Sequence, residues 1–427
     1  MKILIIAYYW PPSGGSGVQR WLKFVKYLPS FGITPYVFTP ENPSFDVRDE
    51  GLLKDVPVEA EVIHFPIWEP SVFKVPSFGL RVPETRTTKP ESRNSHPVIR
   101  WLRGNIIFPD PRVFWVRPSV KFLNGFTKDN KIDVVITTGP PHSVHLIGQR
   151  LKNNNSSLKW IADFRDPWSE WGILQSFKLT AMAKWIHKRM ERKVLAQADR
   201  VITITPFYVK QLERLSGRKV DLITNGFDKS DFIELQIQST SKFVIRHVGL
   251  VNPTCDPKPF MMAVRQLAIE NNEFKEQVDI YFTGQVNEDF RSFIQQDEIL
   301  SKIVKFENNV PHKELIALYG KSSALLLILT GYKDGEGFLP GKLFEYLATG
   351  LPIVAVGPLP SDANDLLKES GNDAMIPSED LSQIKKRLLT LFTDWGKGGS
   401  VNKSTTAVKY SRKHLTFQLV ELLKSIT

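Results

Sequence analysis

From residue 334 to 357 the chain reads DGEGFLPGKLFEYLATGLPIVAVG, and two of its side chains are of types that act together on a ligand. Lys342 follows Pro340-Gly341 at the start of a run of good helix formers, Leu343 to Ala348, and Glu345 lies one turn inside that helix. A glycine-rich loop feeding a helix N-terminus offers backbone N–H groups and the positive end of the helix dipole to an anion, here at Gly341, Lys342, Leu343 and Phe344. Lys342 adds a full positive charge. Glu345 can accept hydrogen bonds from two neighbouring sugar hydroxyls. An anion site beside a diol site describes a nucleotide or nucleotide-sugar. The plainer alternative is an ordinary α/β unit in which Glu345 is a solvated helix residue.

The surrounding elements are those needed to hold such a site. Asp334-Gly335-Glu336-Gly337 breaks helix and strand and reads as a loop. Gly350 ends the helix, Pro352 prevents its continuation, and Ile353–Val356 is a short buried strand. The same grammar opens the chain. Lys2–Ala7 is a continuous apolar run, expected as a central parallel strand, followed by the loop holding Gly14 and Gly15 and an amphipathic helix over 18–31. No Gly-Lys-Ser/Thr and no G-x-G-x-x-G follows it, so neither a P-loop nor a dinucleotide cofactor is indicated.

Further strands are expected at 34–39, 132–138, 159–164, 201–205, 220–224, 243–249, 278–284, 304–310 and 324–329, alternating with helices; 41–117 reads as irregular. Ligands in open parallel sheets sit beyond the carboxyl ends of strands. His142, Gly249 and Gly284 fall there, as does Asp163-Phe164-Arg165-Asp166-Pro167-Trp168, whose carboxylates and guanidinium crowd one strand end. His142 in a Pro-rich loop can equally be structural, and the acidic cluster can equally be an internal Asp–Arg pair bracing its loop. This alternation predicts two doubly wound α/β domains, 1–225 and 226–404.

Length and composition agree with two soluble globular domains: 427 residues, 42% apolar and 24% charged. No run approaches the roughly 18 apolar residues of a membrane span. The N-terminus lacks the long apolar core of a signal peptide, and Cys255 is the only cysteine, so a cytoplasmic protein without disulfides is expected. The net charge of +11 is uneven: residues 1–225 hold 33 Lys and Arg against 20 Asp and Glu, the remainder 23 against 25. The basic half suits an anionic partner such as a membrane surface, with a solvated basic face as the alternative. Trp101, Phe114, Trp115 and a basic helix over 176–198 lie in it, consistent with a peripheral position on the inner face of the cell membrane. Equally, 98–117 can be a lid whose aromatics pack inward.

Glu345-Tyr346-Leu347-Ala348-Thr349-Gly350-Leu351-Pro352-Ile353-Val354-Ala355 resembles the donor-binding segment of retaining glycosyltransferases of the GT-B fold, family four (group 1), of the bacterial polysaccharide-biosynthesis type. Asn225-Gly226-Phe227-Asp228 resembles that family's interdomain crossover, and the 163–168 segment a subset of its members. The resemblance implies two Rossmann-like domains facing across a cleft, with the last helix, about 405–427, packed back on the first. It implies transfer of a hexosyl or related sugar from a nucleoside-diphosphate-sugar to a lipid-linked or saccharide hydroxyl acceptor, with retention and no other cofactor; no nucleic-acid partner is expected. Glu345, Asp166 and His142 would be catalytic. Gly14, Gly15, Gly249, Lys258, Gly284, Val310, Glu336 and Gly341 to Glu345 would line the donor, with Lys258 and Lys342 sharing the diphosphate and backbone near Val310 reading the base.

Three departures stand out. Eight residues separate Glu336 from Glu345 where the family has seven; the strand before Asp166 lacks the usual His; Leu250 and Cys255 stand where relatives place diphosphate-binding basic residues. No Asp-x-Asp metal motif sits at a strand end, so no metal is expected. The alternatives are a nucleotide-sugar epimerase of the same fold and a non-catalytic nucleotide-sugar or polyanion binding protein.

Overall fold

The computed structural model describes residues 1–43, 48–69, 97–170, 174, 177–253, 255–329, 335–398 and 405–427. The chain divides into two compact units: Met1–Thr224 with Arg412–Thr427, and Asn225–Ser411.

The N-terminal unit holds a seven-stranded, wholly parallel sheet in the order β3-β2-β1-β4-β5-β6-β7. Its strands are β1 Lys2–Ala7, β2 Thr34–Pro40, β3 Glu61–Phe65, β4 Val134–Gly139, β5 Lys159–Phe164, β6 Arg200–Thr203 and β7 Asp221–Leu222. The C-terminal unit holds five parallel strands in the order β10-β9-β8-β11-β12: β8 Phe243–Val248, β9 Val278–Thr283, β10 Val304–Glu307, β11 Ala324–Ile328 and β12 Ile353–Val356. The central strands β4, β8 and β11 are buried at every residue, as continuous apolar runs covered by helices on both faces must be. Apolar clusters occupy both faces of each sheet. The expected class, two doubly wound Rossmann-like α/β domains, is the observed one.

Each sheet reverses its winding once, between β1 and β4 and between β8 and β11. In open parallel sheets ligands sit at such a reversal, beyond the carboxyl ends of the strands. The helix Gly341–Thr349 follows β11, and Gly350 closes it in the left-handed conformation at φ 70°. The helix Arg412–Lys424 buries Leu415, Leu419, Val420 and Leu423 in the N-terminal unit's core with Trp21 and Val25.

Local structure departs from the sequence reading mainly in 41–117. That stretch contains β3 and helices Pro97–Ile106 and Val113–Asp129. Strand β3 sits at the sheet edge, where half-exposed residues erase the apolar run. Pro118 lies inside the second helix, which burial of Trp115, Val116, Val120 and Leu123 nevertheless sustains. Trp115 is core, stacked on Phe38 at 5.1 Å, whereas Trp101 and Phe114 are exposed. The basic helix is shorter than expected, Ala181–Gln197. The last helix is split at Ser411, with a 3-10 segment Thr405–Tyr410 before it. Asp334 lies outside the described residues. Among the described residues no helix is long and apolar enough to cross a membrane.

Candidate functional site

In the C-terminal unit the helix Gly341–Thr349 starts at Pro340 with no side-chain cap; the Leu343 N–H bonds the Pro340 carbonyl at 3.0 Å, so the N–H groups offered to a ligand are those of Gly341 and Lys342. Leu343, Phe344, Tyr346 and Leu347 are buried in the core and fix the rotation of the helix. That rotation sends Lys342 back to the end of β8. Its ammonium donates to the Val248 carbonyl at 3.0 Å and lies 3.4 Å from His247 Nε2. His247 Nδ1 is 3.0 Å from the Leu326 carbonyl, which can only accept, so Nδ1 carries the proton and Nε2 accepts from Lys342. Burial lowers the Lys342 pKa from the ordinary lysine value, and burial also raises that of the nearby Cys255 thiol. A positive group held at a β-strand carboxyl end, beside an uncapped helix start, is suited to a phosphate.

Two glycines lie beside the Lys342 ammonium, Gly249 directly and Gly284 against Gly249. Gly249 has φ 109° and Gly284 φ 135°, and a Cβ on Gly284 would stand 2.5 Å from the Gly249 carbonyl oxygen. Gly284→Ala is therefore expected to push the β8 loop away from Lys342, destabilise the unit by about 1–3 kcal/mol, and weaken nucleoside diphosphate binding. Denaturant unfolding and calorimetry check both effects; wild-type values in both would show that the loop yields freely.

Glu345 is 22% exposed at its side chain and is held from two sides. Oε1 lies 3.0 Å from His312 Nε2, and Oε2 accepts from the Tyr319 hydroxyl at 2.8 Å. Tyr319 is fully buried, and burial followed by the Glu345 charge raises its pKa well above that of a free tyrosine. The carboxylate is thus oriented, with lone pairs left for a ligand. Sequence reasoning missed both partners, since neither spacing nor residue type ties His312 and Tyr319 to Glu345. It also missed Arg246, whose guanidinium pairs with Glu307, donates to Thr283 Oγ1 at 2.7 Å and lies over Tyr281.

The remaining expected donor residues are spread out. Val310 is half-buried just before the helix His312–Gly320. Glu336 is exposed on the short turn Gly335–Gly337. Lys258 opens the helix Lys258–Glu270 and pairs with Asp289 at the surface, so Lys342 is the ammonium held at the strand end.

The N-terminal unit carries the other candidates. Gly15, at φ 90°, stands at the N-cap position of the helix Ser16–Tyr27, without a side-chain cap, and Gly14 precedes it. Asp163 and Arg165 do not pair with each other. Asp163, wholly buried, accepts from Arg20 at 3.1 and 3.3 Å, from Trp21 Nε1 at 2.6 Å and from Thr138 Oγ1 at 2.9 Å. Arg165 instead donates to the carbonyls of Gly139, Pro140 and Gly17 at 3.2, 2.6 and 2.8 Å, tying the glycine loop to the loop after β4. Asp166 is half-buried, and burial raises its pKa against the opposing pull of Arg165. His142 is buried and stacked on Trp168 at 5.2 Å; burial, with His145 and Arg165 nearby, lowers its pKa so that it is neutral at pH 7. Among the described residues no cluster of three or more His, Cys, Asp or Glu side chains is placed to hold a metal.

Residues 14–226 match the family model for the glycosyl transferase 4-like domain, and residues 243–394 match that for glycosyl transferases group 1. No curated protein matches the chain significantly in sequence. Solved structures share its fold over its whole length. Sucrose-phosphate synthase from Thermosynechococcus elongatus aligns at 14% identity and TM-score 0.65, covering 100% of this chain and 98% of its own. TarM from S. aureus, in complex with fondaparinux, alpha-GlcNAc-glycerol and UDP, aligns at 11% identity and TM-score 0.60, covering 99% of each chain. A protein from Listeria monocytogenes described as a UDP-N-acetylglucosamine 2-epimerase aligns at 11% and 0.55, covering 99% of this chain and 96% of its own. With a glycosyl transferase 4-like domain, a group 1 domain and the GT-B architecture, the chain belongs to the group 1 glycosyltransferases.

Proposed function

We propose that this glycosyltransferase moves a sugar from a nucleoside-diphosphate-sugar to a hydroxyl acceptor, lipid-linked or saccharide, with retention at the anomeric carbon. The pathway proposed is cell-surface polysaccharide or glycolipid synthesis. The observation that carries the donor assignment is one helix presenting both an oriented carboxylate, Glu345, and an uncapped N-terminus with Lys342 at the β8 end. Glu345 would accept from two adjacent hydroxyls of the donor. Lys342 and the first helical N–H groups would stabilise the charge that develops on the departing diphosphate, a role that asks for no metal. His142 and Asp166, in the N-terminal unit, are proposed as further catalytic residues. The UDP in the TarM complex supports the donor class.

A thermal-shift screen of nucleotide-sugars tests the donor, since a ligand at 100 times its dissociation constant stabilises by about 2.7 kcal/mol. Incubation of each hit in EDTA, with and without saccharide acceptors, tests the reaction. An epimer formed without acceptor would overturn the transferase reading, and activity restored only by a divalent cation would overturn metal independence.

Lys342 gives a pH signature. Its protonated form binds the diphosphate, and its pKa is lowered by burial. Affinity for nucleoside diphosphate should therefore fall as pH rises through that lowered pKa, before the roughly pH 10 at which a free lysine discharges, with proton uptake on binding in that window. Calorimetry in two buffers measures this. A flat profile that Lys342→Ala leaves unaltered would remove Lys342 from the site.

The proposed place of work is the cytoplasmic membrane face. Lys184, Lys188, Arg189, Arg192 and Lys193 are all exposed on the helix Ala181–Gln197, with Trp185 beside Arg189. Each basic residue at an anionic surface contributes about 1 kcal/mol, screened by salt. Sedimentation should show binding to anionic vesicles that weakens with salt; equal recovery with neutral vesicles, or no recovery with either, would leave a solvated basic face.

A further inference from the structure

Arg103, in the N-terminal unit, is a partly enclosed arginine. It projects from the helix Pro97–Ile106, and its guanidinium lies over the Phe177 ring at 5.3 Å. Among the described residues it forms no ion pair, and its Nη1 is enclosed without a hydrogen-bond partner. An enclosed guanidinium nitrogen left unsatisfied costs a desolvation penalty that native structures rarely leave standing. Burial, and then the charge of neighbouring Arg112, pull its pKa down to about 10, so it remains a cation at neutral pH.

The neighbouring side chains are bonded elsewhere, and the Asp110 carboxylate acts on Arg103 through space without an ion pair among the described residues. Arg112 pairs with Glu69 at 2.9 Å and lies over the Tyr8 ring, and the Tyr8 hydroxyl donates to Glu69 at 2.7 Å. Asp110 accepts from the Ser143 backbone N–H and hydroxyl, both at 2.9 Å. Tyr8 follows β1 directly, which puts this group at the carboxyl edge of the sheet, where ligands of such folds sit. Beside it in sequence, Trp68 precedes Glu69 and Phe114 follows Arg112 by two residues; their rings meet edge-to-face at 5.1 Å and are 65% and 43% exposed.

We propose that Arg103 is the anchor of an anion subsite in the N-terminal unit, which takes a phosphate or carboxylate borne by the acceptor. Trp68 and Phe114 offer that acceptor an apolar platform. The proposal rests on the transferase reading for the word acceptor, but the site itself is tested without any reaction.

Inorganic phosphate and glucuronate are titrated into wild-type protein and Arg103→Gln with the Lys342 site filled by saturating nucleoside diphosphate, and into Lys342→Ala without it. Binding should weaken at least about tenfold in Arg103→Gln, as expected for a lost charge-assisted hydrogen bond, and persist in Lys342→Ala. Preference for phosphate or for glucuronate identifies which anion the acceptor carries. Loss in Lys342→Ala alone, or no binding of either anion to wild type, overturns the subsite while leaving the donor assignment intact. Wild-type protein supplies a readout that needs no variant to fold. Phenylglyoxal modification of Arg103, followed by mass spectrometry, should slow several-fold in the preferred anion and not in neutral glucose; equal rates would overturn the proposal.

Discussion

Glu345→Ala is expected to lower kcat/KM for transfer by roughly 10² to 10³-fold, the effect of losing a two-pronged contact to adjacent hydroxyls in a desolvated site. The structure adds a second consequence. Removing the carboxylate strands the Tyr319 hydroxyl, which is wholly buried and donates to Oε2 at 2.8 Å. That orphan should cost about 1–3 kcal/mol of stability. The two effects separate in the double variant Glu345→Ala with Tyr319→Phe, which removes donor and acceptor together and should regain most of the stability while transfer stays lost. Urea unfolding and initial rates measure the pair. Transfer within a few-fold of wild type in the double variant would mean that Glu345 only satisfies Tyr319, and the diol assignment would fall.

How much of this was legible in the sequence depends on range. β5 and β12 begin and end where the apolar runs predicted: β5 is an inner parallel strand, and β12, though last in its sheet, is buried at all four residues. Gly350 ended the helix as expected, since its left-handed φ of 70° is a local requirement. By contrast, every residue of the edge strand β3 is exposed or half-buried, which hid it. The helix Val113–Asp129 was hidden by Pro118, a local penalty that burial of Trp115 and Leu123 outweighs. Contacts far apart in sequence decided both cases.

The site divides in the same way. Lys342 and the uncapped start of its helix are neighbours in sequence, so an anion site could be read from spacing alone. That Lys342 reaches the Val248 carbonyl, 94 residues away, could not. His312 and Tyr319 hold Glu345 across 33 and 26 residues, and no pattern announces them. Asp163-Phe164-Arg165-Asp166 misled in an instructive way. The spacing invited a local pair, yet the nearest Asp and Arg serve separate distant partners, Arg20 for one and three backbone carbonyls for the other.

That separation sets up the largest stability effect expected in the N-terminal unit. Arg20 and Asp163 are 1% and 0% exposed at their side chains, and their ion pair joins the first helix to the end of β5. Arg20 also donates to the Thr224 carbonyl at 2.8 Å, at the last residue of the unit's first segment. Arg20→Met would keep the bulk of the side chain but leave the Asp163 carboxylate with only Trp21 Nε1 and Thr138 Oγ1 as donors, its charge uncompensated. The expected loss is about 3–5 kcal/mol, because the desolvation of one charge is then no longer offset by the other. Asp163→Asn, which retains hydrogen-bonding capacity but strands Arg20, should also destabilise. Combining the two removes both charges and should cost less than the sum of the single changes, the signature of direct coupling. Urea unfolding followed by tryptophan fluorescence reads this, since the Trp21 indole itself donates to Asp163 at 2.6 Å. Nucleoside diphosphate affinity should stay at wild-type level wherever the variants remain folded, because the residues assigned to the diphosphate lie in the other unit. A folded Arg20→Met variant of wild-type stability, or one that loses nucleotide binding, would mean that this pair belongs to the ligand site and not to the frame behind it.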